Sequence, residues 1–447
     1  MIKKNNKINK TKENIKKEKA IIKEAKKRIK IEKQKSFYNT KLGKLIKKIS
    51  KKNKVKETEN NQISLKEQIF SMIYFEIMGI ILCLLFFFAL SGGKNYIKLY
   101  KDLNKLINVY DTIVSDYYGE IDKEKLVDDA IESMLNGIGD SYTTYTDEET
   151  TNNFMENIEG TYEGIGCMVA MNEAGDIFVV NVFEDGPAQK AGLEVNDIIL
   201  KIDDEDYQDK TSEDMANYVK NNASEKIKVA IKRGEEEKEI TITREKVEVP
   251  SVTSKVIDSD SKKIGYIDIS VFSAVTYKQF KTELESLEKQ AVEGLIIDVR
   301  GDTGGYLSSV TDISNLLLKK GKIIYQLEDS KKTEKIKDET KEHRTYPIAI
   351  LIDNGSASAS EILASAIKES YGGYVIGINS YGKGTVQKTK QLSDGSMIKY
   401  TIQNWLTPDG NWINETGVEP THYVELTSLE EDNQLTTAID LIKEKLK

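Results

Sequence analysis

The feature that most constrains this chain is the apolar run at residues 69–90, IFSMIYFEIMGIILCLLFFFAL, whose single charged residue is Glu76. It is close to the roughly 20 apolar residues that a spanning helix needs. A buried helix of a soluble core would show a polar face, and Ile77 to Leu90 shows none. The run divides two electrostatically different parts. Residues 1–68 carry 24 Lys and Arg against 7 Asp and Glu, or +17; with −8 overall, the remainder carries −25. Lysines crowd the flank from Lys41 to Lys66 and thin out after it. By the positive-inside rule the N-terminus is cytoplasmic and everything after Lys94 lies outside. Ala89 and Ser91 are spaced as a signal-peptide cleavage site requires, but a signal peptide has a short leading region and this one would be 68 residues long. A single transmembrane signal anchor over 69–91, left uncleaved, is therefore expected.

The basic tail, 1–68, holds the i,i+4 pairs Glu13/Lys17 and Glu24/Arg28, which favour helix. Its charge would suit nucleic acid or anionic lipid. It lacks the aromatic interleaving of single-strand binders, so a solvated tail that fixes topology, with no nucleic-acid partner, is expected. The chain has two cysteines, Cys83 and Cys167, one in the apolar run and one far from it, so neither a disulfide scaffold nor a zinc site is expected. Its only histidines are His343 and His422.

Beyond the anchor the pattern changes three times. Residues 95–150 read as a small helical module. Leu99, Leu103, Leu106, Ile107, Tyr110, Ile113, Val114 and Tyr117 share one helical face, and Asp122 caps a second helix that runs through Met134 until Gly137 and Gly139 break it. The module is too small to stand alone, so it packs on the next domain or on a second copy in a homodimer. Residues 155–245 hold short strands at 177–183, 197–202, 226–233 and 238–243, with a helix capped by Thr211 or Ser212 that carries Met215 and Val219. Residues 250–425 alternate strand and helix: strands at 264–269, 294–299 and 347–353, a helix marked by Phe280, Leu284 and Leu287, another from about Tyr306, and one after Ser358. This reads as layered α/β. A C-terminal helical segment, 426–447, follows. The stretch that begins near Asp329, ahead of His343, is charged and reads as mobile.

Two segments carry chemistry. In NGSASASE, Asn354 to Glu361, small residues let the chain turn sharply from a buried strand into a helix. A serine there sits at the helix N-terminus, where free N–H groups and the positive dipole end favour developing negative charge; the same position also suits a simple N-cap. In YGKGTVQ, Tyr381 to Gln387, Lys383 lies between two glycines that let backbone approach closely. A lysine is ordinarily charged near neutrality, but burial among apolar groups lowers its pKa and makes it a competent base. The scarcity of histidine disfavours a Ser-His-Asp arrangement and leaves lysine as the natural base. GINSYGK, 377–383, matches seven places of the phosphate-cradling GxxxxGK[ST] motif, but Gly384 stands where the Mg²⁺-binding hydroxyl belongs.

DGPAQKAGLEVNDIILKIDD, with Gly164-Ile165-Gly166 upstream, resembles the core signature and carboxylate-binding loop of bacterial PDZ domains. Turned backbone N–H groups there would grip a peptide's terminal carboxylate while a strand edge takes the peptide as an added strand. Serine, lysine 25 positions on and glutamine four further resemble the carboxy-terminal processing (tail-specific) serine proteases. So do NGIGDSYTTYTDEE, the DVRGDTGG loop and TPDGNWINETGVEP (407–420), and the likeness covers nearly all of 97–425. The resemblance implies a crotonase/Clp-protease-like catalytic domain and a membrane-anchored endopeptidase acting on extracytoplasmic proteins near their C-termini. It implies Ser358 as nucleophile, Lys383 as general base, Gln387 orienting the lysine, and an oxyanion hole from the N–H groups of Gly304 and Ala359. Glu361 stands at a family-typical position, where a first-turn acid would also favour the helix dipole. The family pattern Asn-Pro-Gly-Gly reads Asp302-Thr303-Gly304-Gly305 here, which places a carboxyl beside the hole. No metal or cofactor is expected. A hydrophobic-ligand binding module on a related fold would lack the dyad, and an assembly protein would be indifferent to Ser358.

Overall fold

The computed structural model describes residues 44, 65–90, 96–207, 210–221, 224–428 and 431–447. The helix-favouring pairs of the basic tail lie outside the described residues. The chain divides into two units, 1–119 and 120–447.

In the first unit, α1 (Leu65–Leu90) and α2 (Tyr96–Asp116) are described. The 26 residues of α1 extend about 39 Å at 1.5 Å per residue. Large apolar side chains from Phe70 to Leu82 are exposed along it. Among the described residues no helix is long and apolar enough to cross a membrane. The expected span continues through 84–90, whose side chains lie outside the description. On α2, Leu103, Leu106, Ile107 and Ile113 are exposed, while Tyr110 and Val114 of the predicted apolar face are half-buried.

The second unit begins with α3 (Lys123–Asn136), which starts as its cap signal predicts: the Asp122 carboxylate accepts the N–H groups of Glu124 and Lys125 at 3.1 and 3.0 Å. One short stretch of the helical module departs from the expectation: Thr144–Thr146 forms strand β1, paired with a strand near residue 398. Three residues carry no readable period, and the partner lies some 250 positions away. Helix α4 (Glu148–Glu159) follows, capped by Asp147 and closed by Gly160 at φ +66°. A Cβ on Gly160 would stand 2.4 Å from Ser273 Oγ, so that approach requires glycine.

Next comes a small β domain. Its strands are β2 (Thr161–Gly164), β3 (Cys167–Met171), β4 (Ile177–Val182), β5 (Ile198–Ile202), β6 (Glu205–Asp206), β7 (Lys226–Arg233), β8 (Glu236–Thr243) and β9 (Glu245–Glu248). Two helices, α5 (Pro187–Ala191) and α6 (Ser212–Asn221), accompany them. The sheet order is β3-β4-β5-β7-β8, which leaves β3 at an edge, and β2 pairs with β9. Alternation along KIKVAIKR buries Ile227, Val229 and Ile231 completely. Thr211 caps α6, taking the Asp214 N–H on its hydroxyl at 3.1 Å, and Met215 and Val219 enter the core as their spacing predicts.

The largest layer is a mixed sheet of β10 (Val252–Ser259), β11 (Lys262–Ile269), β12 (Gly294–Asp298), β15 (Ile348–Ile352), β16 (Tyr374–Gly377) and β19 (His422–Tyr423), in that order. Only the β10–β11 pair is antiparallel. The five residues of β12 and the five of β15 are all buried, as parallel strands covered on both faces must be. Helices α7 (Thr276–Lys289), α8 (Leu307–Leu317) and α9 (Ala359–Ser365) contribute to the core on one face. On the other, α10 (Asn433–Lys445) buries Ala438 and Ile442 against Ile264, Ile296, Leu351 and Ile376. The C-terminal segment is thus part of this core; burying one such isoleucine is worth about 1.5–3 kcal/mol. A second, antiparallel sheet joins β1, β18 (Met397–Leu406), β13 (Ile323–Glu328) and β14 (Thr333–Lys337), with β17 (Thr385–Gln391) also on β18. The charged stretch after Asp329 is therefore partly strand, its alternating charges facing solvent while β13 supplies the ladder.

Candidate active site

Strand β15 ends at Ile352, and the chain turns through Asp353–Ala357 into α9. Asp353 organises the turn: its carboxylate accepts the N–H groups of Gly301, Gly355 and Ser356 at 2.8, 2.9 and 3.1 Å. At the corner stands Ser358, with φ +55° and ψ −108°. A non-glycine residue in that region is strained, and strain of this kind persists where surrounding structure over-determines it. The strain lifts Ser358 partly into the open between the buried Ala357 and Ala359. Ala359 opens α9, so its N–H has no place in the helix's own ladder.

Lys383 approaches from the loop after β16. The glycines around it are dictated by segment 405–417. A Cβ on Gly382 would lie 2.9 Å from the backbone N of Gly417, and one on Gly384 would lie 2.7 Å from Trp412 Nε1 and 2.8 Å from the backbone N of Asn414. The same segment grips the loop. Trp405 Nε1 donates to the Lys383 carbonyl at 2.7 Å, Trp412 Nε1 to the Gly384 carbonyl at 2.9 Å, and Gly384 N–H to Asn414 Oδ1 at 3.1 Å. Burial depresses the Lys383 pKa below the ordinary lysine value; Lys399 adds to the depression and Glu361 opposes it. That favours the neutral amine a base must be.

Glu361 ties the two segments together. It is fully buried, and four donors converge on its carboxylate: Ser358 N–H at 2.7 Å and Lys383 N–H at 2.9 Å on Oε2, Gly382 N–H and Ser380 Oγ at 2.6 Å each on Oε1. The first-turn position predicted a dipole partner; the structure shows a clamp that holds the serine corner against the lysine loop. Sequence could have hinted at it only through an acid inside an otherwise small and apolar helix start.

The remaining predicted site residues are placed as follows. Gly304, φ +96°, packs on the serine corner so tightly that a Cβ would lie 2.8 Å from Ser358 Cβ and 2.9 Å from the Ala359 N. Its own N–H, however, donates to Asp302 Oδ1 at 2.8 Å. Among the described residues Gln387 makes no hydrogen bond to the lysine: its amide donates to Thr385 Oγ1 at 2.8 Å and Thr401 Oγ1 at 3.3 Å, beside a β-bulge between Val386 and Gln387. Among the described residues no hydrogen bond joins Ser358 Oγ and Lys383 Nζ. The lysine lies instead over the Tyr142 ring, 5.2 Å from its centroid. Tyr142 reaches the site because β1 docks beside it on β18, a contact no local pattern announces.

In the β domain, Gly164 ends β2 and Gly166 takes φ +77°, while Ile165 is buried. Tyr162 packs on Gly164, where a Cβ would overlap its ring, and its hydroxyl faces the Gly166 backbone. His343 is exposed beside the Lys341 carbonyl, and His422 stacks edge-on to Tyr374 at 5.4 Å. Neither belongs to the site. Among the described residues no group of three or more His, Cys, Asp or Glu is disposed to hold a metal ion.

Residues 263–424 match peptidase family S41, residues 163–243 match the PDZ domain, and residues 90–150 match the N-terminal domain of the activating protease CtpB. The chain is 39% identical over 326 residues to the carboxy-terminal processing protease CtpB of Bacillus subtilis, covering 72% of this chain and 67% of that one. It is 37% identical over 325 residues to CtpA of the same organism, covering 72% and 69%. A probable CtpA-like serine protease of Staphylococcus aureus is 35% identical over 323 residues, covering 71% and 64%. The chain belongs to peptidase family S41, as a serine-type carboxy-terminal processing peptidase that carries a PDZ domain and acts on peptide substrates with C-terminal tails.

Proposed function

We propose that this peptidase is anchored in the cell membrane by residues 69–91 and cleaves extracytoplasmic proteins near their C-termini with a Ser358/Lys383 dyad. The observation that carries the dyad is the Glu361 clamp, which brings a strained, half-buried serine and a half-buried lysine of depressed pKa to one carboxylate although 25 positions separate them. In the reaction, Ser358 Oγ attacks the scissile carbonyl carbon as its proton passes to Lys383 Nζ. The C–O bond forms, and the oxyanion is held by the N–H groups of Gly304 and Ala359. Collapse breaks the C–N bond, and Lys383 returns the proton to the leaving amine; water then cleaves the ester by the same route.

The PDZ domain takes the substrate tail. Its terminal carboxylate binds at Gly164, Ile165 and Gly166, and the preceding residues add to the free edge of β3, beside the exposed Met168 and Met171. The lysine-rich tail ahead of 69–90 supports a cytoplasmic N-terminus and an extracytoplasmic enzyme; retention of the chain in carbonate-washed membranes tests the anchor. The first experiment compares the full chain with its Ser358→Ala and Lys383→Ala variants on an unfolded protein. Cleavage by the parent alone is expected, and equal cleavage by all three removes the assignment.

A further inference from the structure

The Gly304 N–H cannot serve a substrate oxyanion while it serves Asp302. That N–H points into the chain's own Asp302 side chain, two residues earlier, at 2.8 Å. Asp302 is held in place from both sides. Its carbonyl accepts the Ala357 N–H at 2.9 Å and the Ser360 hydroxyl at 3.0 Å, and its own N–H donates to the Val299 carbonyl at 3.2 Å. The side chain is 1% exposed, and its Oδ2 has no hydrogen-bond partner. No salt bridge among the described residues includes it. Asp268 on β11 lies near enough to repel it. Arg300, the nearest cation in sequence, is taken by Asp298 and Asp432 at 2.5 and 2.7 Å. Asp353 and Glu361, the other acids of the site, are occupied by the donors already described.

We propose that Asp302 is a positioning residue for the oxyanion hole: as a carboxylate it keeps the Gly304 N–H from the substrate, and as a neutral acceptor it releases it. The proposal rests on Ser358 being the nucleophile and Gly304 an oxyanion donor. Its physical basis is competition for one donor. A charged acceptor makes a hydrogen bond roughly twice as strong as a neutral one. A carboxylate beside the hole also repels the oxyanion that must form there. Burial pushes the Asp302 pKa up to about 7, with the Gly304 N–H pulling down and Asp268 pushing up. Both forms are therefore present near neutrality, and the neutral form dominates on the acid side. Lys383 needs the opposite, since it acts only when deprotonated. The two ionisations oppose one another and confine activity to a window.

The test is kcat/KM on an unfolded protein from pH 5.5 to 9, for the full chain and its Asp302→Asn, Asp302→Ala and Ser358→Ala variants, with a melting curve for each. The Asp302→Asn to parent ratio should be near one at the acid end. It should rise through about pH 7 and level off at about tenfold, the difference expected between a charged and a neutral competitor. Lys383 titrates in both proteins and largely cancels. Asp302→Ala, which loses the turn, should fall below the parent throughout, so that asparagine rescues and alanine does not. A ratio flat with pH overturns the proposal, as does an Asp302→Asn variant that melts normally and is inactive. If Asp302→Asn melts early, Asp302→Ser, which keeps a short neutral acceptor, takes its place; failure of both to fold makes Asp302 structural and overturns the proposal. If Ser358→Ala cleaves like the parent, the nucleophile assignment falls, and the proposal falls with it for that separate reason.

Discussion

Replacing Glu361 by glutamine isolates the clamp at constant shape. Each carboxylate oxygen now takes two donors. An amide keeps one acceptor oxygen and turns an NH2 toward the other pair. The less costly orientation leaves the oxygen on Ser358 and Lys383 and points the NH2 at Ser380, whose hydroxyl already accepts the Val418 N–H at 2.6 Å and can accept again. Gly382 N–H is then buried without an acceptor, and the Ser380 hydroxyl proton loses the one it had. Each unsatisfied donor costs about 1–3 kcal/mol, and loss of charge on the surviving bonds about 1 kcal/mol more, or roughly 3–7 kcal/mol concentrated in one loop. Hydrogen exchange in residues 380–384 should accelerate accordingly. A displacement of about 1 Å between nucleophile and base costs on the order of 100-fold in rate, so kcat/KM should fall by about that factor. The sign of the pH effect gives an independent check. Glu361 raises the Lys383 pKa, so its neutralisation lowers it, and the acid limb of the pH–rate profile should move to lower pH. Activity within twofold of the parent, or a limb displaced to higher pH, would refute the clamp.

Two further outcomes follow from the same geometry. Gly384→Ala drives a Cβ to 2.7 Å from Trp412 Nε1 and 2.8 Å from the Asn414 N, so a loss of about 1–3 kcal/mol in stability and reduced turnover are expected in denaturation and rate measurements. For the PDZ loop, a peptide with a free C-terminal carboxylate should bind the Ser358→Ala chain at least about tenfold tighter than its amidated twin, since a hydrogen bond to a charged acceptor is worth about 1.5–3 kcal/mol; equal affinities in a titration would remove the carboxylate site from Gly164–Gly166.

What could be read from the sequence was whatever is encoded within a few residues. The caps Asp122 and Thr211, the alternating strand 226–233, the uniformly buried strands 294–298 and 348–352, and the serine corner and lysine loop all announce themselves by local pattern. Backbone conformation and amphipathic period are short-range properties, so sequence carries them directly. What only the tertiary structure decided was set by groups far apart in the chain. Strand 144–146 exists because 397–399 offers a ladder, and its docking carries Tyr142 to Lys383. Strand 333–337, read as part of a charged, mobile stretch, is paired by its neighbour despite its charge. Gln387, implied at the lysine, hydrogen-bonds two threonines beside a β-bulge instead. The number of donors on Glu361 and the engagement of Gly304 by Asp302 depend on where folding places N–H groups. A buried polar group must find a partner wherever the packing supplies one, and no spacing along the chain encodes which partner that is.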